Sequence, residues 1–320
     1  MKVLYLVQEG KHAHCYGSDF LYDGFCEVLG HENVFDYPEK GPLHDGRDEC
    51  GIDSDQTWPR KGHTLEEAAV QCDLAVIAMP PGGQIPGHAW NACRALKVPI
   101  AAVDASDQVR DCRGWYETVA GREVQYFKRE LPIGDTWGHP LPLCYPASRI
   151  PFQDMMGRER LNRVFYYAST HGGRGPGIPR IQIADLLRQN ELLVNLDIKL
   201  FEGQQREGRP TPDEYHSRME DASIGISWNG APNWDTNRFW ENFAYGLAQV
   251  AERPKIQIPH EPSDGMHCLY ASSPESVAAK VRFLLDERSL CREIAYEGHC
   301  HFRKYHTSAA RARYVMEHTL

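Results

Sequence analysis

The feature that most limits what this chain can fold into is an alternation of two kinds of segment. Short β-branched or apolar runs, of which Val3-Leu4-Tyr5-Leu6-Val7 is the first, are followed by longer stretches with helical spacing. That alternation is the signature of a parallel sheet covered by helices. In the first half it places strands at Lys2–Val7, Asn33–Asp36, Leu74–Ala78 and Ile100–Val103. Ser18 or Asp19 can cap a helix that runs through Leu29 and stops at Gly30, and a second helix is expected over Gly87–Lys97. The second half restarts the layout. It has a strand at Arg163–Ala168, a helix at Pro179–Gln189, strands at Leu192–Leu200 and Ser223–Ser227, a helix at Thr236–Val250, and strands at Lys255–Ile258 and Cys268–Ala271. A last helical region from Pro274 carries Val277, Val281, Leu284 and Leu285 at helical spacing.

A chain of 320 residues exceeds what one hydrophobic core usually reaches, so the repeated layout reads as two α/β domains with a cleft between them. Five prolines between Leu131 and Phe152 mark the connection near Pro146–Arg158, giving domains over residues 1–150 and 151–320. The last helix is placed to pack back on the first domain. Residues from Pro38 to His63 are rich in Gly, Pro and charge and read as a long surface loop.

Charge and cysteine content narrow the function. A net charge of -9 opposes non-specific binding to nucleic acid or an anionic membrane, which disfavours a nucleic-acid acceptor. Ten cysteines without a CxxC pair suggest reduced thiols in a cytoplasmic protein rather than a disulfide framework or zinc site. No apolar run approaches the roughly 20 residues that a membrane-spanning helix needs.

The segment from Asn229 to Gly246 carries the most chemistry. The strand Ile224-Gly225-Ile226-Ser227 leads into a polar loop with Asn229 and Gly230, then into a helix that Asp235 or Thr236 can cap. Unpaired N–H groups at such a helix start suit a phosphate. Phe239, Phe243 and Leu247 fall on a core face, while Arg238, Glu241 and Tyr245 share another. A guanidinium can fork onto diphosphate oxygens, and a carboxylate can accept both ribose hydroxyls. An ordinary surface ion pair at i, i+3 gives the same spacing and is worth only about a few tenths of a kcal/mol.

The run Asp235-Thr236-Asn237-Arg238-Phe239-Trp240-Glu241 resembles the DTxRxWE element of GT-B glycosyltransferases, especially the spore-maturation (CgeB-like) group. Tyr126-Phe127-Lys128-Arg129-Glu130-Leu131, following Asp104-Ala105-Ser106-Asp107, is similar to the end of that group's N-terminal domain. Asp264-Gly265-Met266-His267, Ser273-Pro274-Glu275 and Tyr305-His306-Thr307-Ser308-Ala309-Ala310-Arg311-Ala312 follow the order of its C-terminal half. The resemblance implies two Rossmann-like domains facing a cleft, an acceptor on the first and a nucleotide sugar, here a UDP sugar, on the second. It also implies that Glu241 holds the donor ribose, and that neither a metal ion nor a cofactor is needed. The second acidic residue usual in retaining members would fall at position 233, which is Asn233, so retention and inversion both stay open.

Other candidates are weaker. Ser169-Thr170-His171-Gly172-Gly173-Arg174 follows a strand and could wrap phosphates, with Arg174 or Arg180 adding charge, or be a plain flexible turn. His12 and His14 follow the first strand, and Asp104 and Asp107 follow another. Any of these could take the acceptor's proton, or simply be a solvated histidine or turn-capping carboxylate. Asp264 and His267 are expected near the donor sugar. A non-catalytic nucleotide- or glycan-binding protein on the same scaffold is the alternative. A nicotinamide dehydrogenase is set aside, because Gly10 and Gly17 are too far apart for the dinucleotide fingerprint.

Overall fold

A computed structural model describes residues 1–8, 16–44, 58–82, 87–106, 108–142, 144–145, 160, 162–169, 178–189, 196–201, 210–228 and 236–320. The chain divides into two compact units. One comprises Met1–Pro146, Ile256–Pro259 and Thr307–Leu320, the other Ala147–Lys255 and His260–His306.

The first unit runs β1 (Val3–Val7), α1 (Tyr16–Leu29), a 3-10 turn (His31–Asn33), β2 (Val34–Tyr37), α2 (Gly41–His44), α3 (Leu65–Gln71), β3 (Leu74–Ala78), α4 (Gly87–Ala95), β4 (Ile100–Asp104), α5 (Arg113–Ala120), β5 (Gln125–Lys128) and β6 (His139–Pro140). Its sheet has the order β2-β1-β3-β4-β5-β6, all parallel. β1, β3 and β4 are buried along their whole length, so they read in sequence as continuous apolar runs rather than alternating ones. α1 ends where expected, at Gly30, whose φ of 83° a side chain would resist.

The second unit runs β7 (Val164–Ser169), α6 (Ile178–Gln189), β8 (Leu196–Phe201), α7 (Pro212–Asp221), β9 (Ile224–Ser227), α8 (Asn237–Ala244), β10 (Ala248–Glu252), β11 (Leu269–Ala271), α9 (Pro274–Asp286) and α10 (Arg288–Tyr305). Its parallel sheet is ordered β11-β10-β9-β7-β8. Counted from each unit's own first strand, both sheets therefore share the order 2-1-3-4-5. One face of the second sheet forms a core of Val164, Tyr166, Ile224, Ile226 and Val250 against Ile183 and Leu187 of α6 and Val277 and Val281 of α9. A final helix, α11 (Ser308–Thr319), belongs to the first unit. It lies so close to α1 that a Cβ on Gly24 would fall 2.0 Å from the Ser308 carbonyl oxygen.

Four expectations need correction. The helix expected over Thr236–Val250 stops at Ala244, and Ala248–Glu252 is the strand β10. The spacing of Phe239, Phe243 and Leu247 continues across the turn, but Gly246 at φ 60° ends the helix and Leu247 reaches the core from the following turn. The strand expected at Lys255–Ile258 is absent. Ile256 makes only an isolated antiparallel bridge with Pro132, reinforced by the Gln257 N–H donating to the Leu131 carbonyl. The single helical region expected from Pro274 is three helices, and the loop expected over Pro38–His63 contains α2.

Candidate functional site

In a parallel sheet, ligands bind beyond the carboxyl ends of the strands, at the point where strand order reverses. In the second unit that point lies between β7 and β9, which pair through Val164 with Ile224 and Phe165 with Gly225. β7 ends at Ser169 and β9 at Ser227, so α6 and α8, the helices that follow them, both begin at this edge.

α8 places Arg238 and Glu241 one turn apart on one face, as the spacing predicts. The Arg238 Nη1 lies 3.3 Å from Glu241 Oε2, with the two side chains 22% and 14% exposed. The Tyr215 hydroxyl, from α7, donates to the same Oε2 at 2.7 Å. The Arg238 guanidinium sits over the Tyr215 ring at 4.6 Å and over the Phe165 ring of β7 at 5.3 Å. Aromatic faces attract a cation and hold it in a defined position. This pair is therefore a fixed, half-buried fork rather than two flexible side chains meeting in solvent.

At the start of α8, Thr236 does not cap the helix with its side chain. Its Oγ1 instead lies 3.1 Å from the Ser227 Oγ at the end of β9. From the first turn of α6, Arg180 donates through Nε and Nη2 to the Trp228 carbonyl at 3.3 and 3.1 Å, tying the two loops' anchor points together. Burial depresses the Arg180 guanidinium below its ordinary value. Tyr166 and Glu252 oppose that shift, and Arg238 adds to it. Two guanidiniums thus act on each other at one sheet edge, an arrangement that an anion would relieve.

Asp264 and His267 lie elsewhere. They directly precede β11, whose first residue pairs with Val250, so they stand on the amino side of that strand. Asp264 Oδ1 accepts the Tyr270 N–H at 2.8 Å, and His267 Nδ1 accepts the Ser263 N–H at 2.9 Å. Both bonds shape the turn around Gly265, which has a φ of 80°. The His267 carbonyl packs on Gly298 of α10, beside the ring of Phe243 near the far end of α8. These residues are thus at the opposite end of α8 from Thr236, which corrects the expectation that they lie with the donor site at the carboxyl edge. Tyr245 has left the helical face and meets His216 Nδ1 through its hydroxyl at 2.5 Å.

In the first unit, Asp104 is fully buried. It pairs with Lys128 at 3.1 Å, accepts the Tyr126 hydroxyl at 2.7 Å and the Ser106 N–H at 2.9 Å, and so serves the sheet rather than a substrate. His12, His14, Asp107, Thr170, Gly172, Gly173, Arg174, Asn229, Gly230, Asn233 and Asp235 lie outside the described residues. Sequence reasoning missed Tyr215 and Glu252. Thr211, three residues before Glu214, forms a capping box that marks the start of α7 and could have placed Tyr215 on a helix.

Residues 184–317 match the family described as glycosyl transferase-like. No curated protein matches the chain. Among solved structures, a glycosyltransferase from Rickettsia africae is similar over 99% of this chain and 97% of its own, with a TM-score of 0.57 at 7% identity. An alpha-glucosyltransferase in complex with UDP-glucose and abasic-site DNA aligns over 99% and 98%, with a TM-score of 0.55 at 10% identity. An alpha-glucosyltransferase bound to UDP and a 13-mer DNA aligns over 99% of both chains, with a TM-score of 0.53 at 10% identity. The fold is that of the GT-B glycosyltransferases, with two parallel-sheet α/β units, and the expectation of a glycosyltransferase stands. Among the described residues no helix is long and apolar enough to cross a membrane.

Proposed function

We propose that the chain transfers a sugar from a nucleotide-sugar donor, a UDP sugar, to an acceptor hydroxyl, and that the donor binds at the carboxyl edge of the second sheet. The grouping with spore-maturation transferases belongs to the same proposal, on the strength of the Asp235–Glu241 element. The observation that carries it is the Arg238–Glu241 fork, held by Tyr215 and Phe165 beside Arg180 at the switch point of the sheet. Glu241 would accept the ribose hydroxyls. Arg238, Arg180 and the N–H groups of the first turn of α8 would meet the diphosphate. As the glycosidic bond breaks, negative charge gathers on the departing nucleoside diphosphate, and donors already fixed in place stabilise it most effectively. Thr170, Gly172, Gly173 and Arg174, which follow β7 in the sequence, and Asn229, Gly230 and Asp235, which follow β9, belong to the proposed donor set.

Two of the similar structures carry UDP or UDP-glucose, which supports the choice of donor. They also carry DNA, but the net charge of -9 on this chain opposes a nucleic-acid acceptor. The acceptor side is assigned to the first unit, with His12, His14 or Asp107 taking the acceptor's proton. No metal ion or cofactor enters the proposed reaction. Calorimetric titration with UDP, GDP and ADP tests the donor: UDP is expected to bind, and binding by none of the three would overturn the proposal. Turnover or slow hydrolysis of a bound UDP sugar, followed by mass spectrometry, separates a transferase from a non-catalytic binding protein.

A further inference from the structure

The position of α8 over its sheet depends on a residue that has no side chain. Gly225 of β9 is flanked in register by Phe165 of β7 and Gln249 of β10, so the three occupy one row across the sheet. α8 lies over that row. Arg238 stands above Phe165 at 5.3 Å, and Asn242, four residues later on the same helical face, rests its amide on Gly225. A Cβ built on Gly225 would fall 2.6 Å from both Cγ and Oδ1 of Asn242 and 2.8 Å from its Nδ2, closer than side chains approach. Asn242 is fully buried, and neither of its amide atoms has a hydrogen-bond partner among the described residues. What holds the amide there is the fit over glycine.

We infer that Gly225 and Asn242 are positioning residues that set the height of α8 over the sheet, and through it the Arg238–Glu241–Tyr215 fork that the proposed donor site uses. The inference rests on that donor reading. The reach of Glu241 to the Tyr215 hydroxyl is 2.7 Å, with Tyr215 on a different helix. Lifting α8 by the several tenths of an ångström that a Cβ requires would break this bond first. Arg180 is on α6 and would not move with α8.

The experiment titrates UDP into wild type, Gly225→Ala, Asn242→Ala and the double variant Gly225→Ala/Asn242→Ala. A Cβ at Gly225 displaces Asn242 and with it the fork, so Gly225→Ala is expected to weaken UDP binding about tenfold or more. The double variant has room for the new methyl group and is expected to return to within about threefold of wild type. Adding Glu241→Ala should cost affinity in wild type but little in the Gly225→Ala background, where the fork is already displaced. Arg180→Ala should cost the same in both, which a general loss of structure would not produce. Wild-type affinity in Gly225→Ala, or a double variant as weak as Gly225→Ala, overturns the positioning role while leaving the donor site standing. Should Gly225→Ala fail to fold, Asn242→Gln, one methylene longer over the same glycine, gives the corresponding loss, and its wild-type affinity would overturn the inference. A wild type that binds no nucleotide overturns the donor reading itself.

Discussion

The two units share a strand order and differ in how the charges at their sheets are answered. In the first unit the buried charges are matched internally. Lys128 meets Asp104 at 3.1 Å, Lys40 meets Asp19 at 2.5 Å, His44 meets Asp36 at 2.9 Å and Arg129 meets Glu130 at 3.0 Å. In the second, Arg180 is pushed down by its burial and by Arg238, while Glu241 shares one carboxylate oxygen between Arg238 and Tyr215. The topology offers both sheets the same kind of crevice. Side-chain chemistry makes one a self-contained scaffold and gives the other charges suited to a ligand, which is why fold alone does not assign function.

The sharpest way to break this comparison is to remove one partner of a matched pair. Lys128→Met leaves the Asp104 carboxylate buried without its cation, and losing one member of such a pair costs about 3–5 kcal/mol. Chemical unfolding is expected to show that loss, and wild-type stability would mean the first unit's charges are not structural. In the second unit the order of effects reverses. Arg238→Ala or Glu241→Ala should change stability by only about 1 kcal/mol, as for partly exposed ion pairs. The cost should instead appear in UDP affinity, at about tenfold to hundredfold if charge-assisted hydrogen bonds to the nucleotide are lost. Unfolding of these variants with affinity intact per folded molecule would erase the distinction.

Tyr215→Phe is the finer version of the same test. It removes one hydroxyl from Glu241 and leaves the ring under Arg238. A single hydrogen bond to a charged acceptor predicts a loss of about 1.5–3 kcal/mol at most, and less where water replaces the hydroxyl. A fall in UDP affinity smaller than that of Glu241→Ala, with an unchanged unfolding midpoint, is the expected result.

How much of this was legible in the sequence follows from how local each signal is. β1, β3 and β4 are continuous apolar runs, and their positions came through almost unchanged. The Arg238–Glu241 face also came through, because i, i+3 spacing on a helix needs no tertiary information. The end of α8 is not legible in the spacing, because the apolar period from Phe239 to Leu247 carries on past Ala244 and through Gly246. Tyr215 was missed because Asp213-Glu214-Tyr215-His216-Ser217-Arg218 is too polar to show an apolar period. Asp264 and His267 were misplaced for a different reason. A long connection between parallel strands crosses from the carboxyl to the amino edge, and sequence does not say how far along it a residue lies. The role of Gly225 was invisible, since it depends on which helix residue comes to rest upon it.

The smallest expected effect concerns pH and the first unit's histidine pair. His44 donates from both ring nitrogens, to Asp36 Oδ2 at 2.9 Å and the Trp58 carbonyl at 2.7 Å, with both side chains of the Asp36 pair 1% exposed. Burial lowers its pKa, but the hydrogen bond and charge of Asp36, with the Trp58 carbonyl and Glu39, outweigh burial and leave it raised above the ordinary 6.5. A group whose folded value is raised contributes stability that is present in full below its unfolded value and is lost as pH rises through the folded one. The stability difference between wild type and His44→Gln should therefore be largest below about pH 6 and shrink toward alkaline pH. His31 and His63, both lowered chiefly by burial, carry the opposite dependence; His63 is common to both proteins and drops out of the difference, whereas His31, which the His44 charge also lowers, is partly relieved in His44→Gln. Thermal unfolding midpoints at pH 5.5 to 9 measure it, taking about half-unit steps around the ordinary histidine value. A gap that widens with rising pH would show that His44 is held neutral, and that the first unit matches this carboxylate by hydrogen bonding rather than by charge.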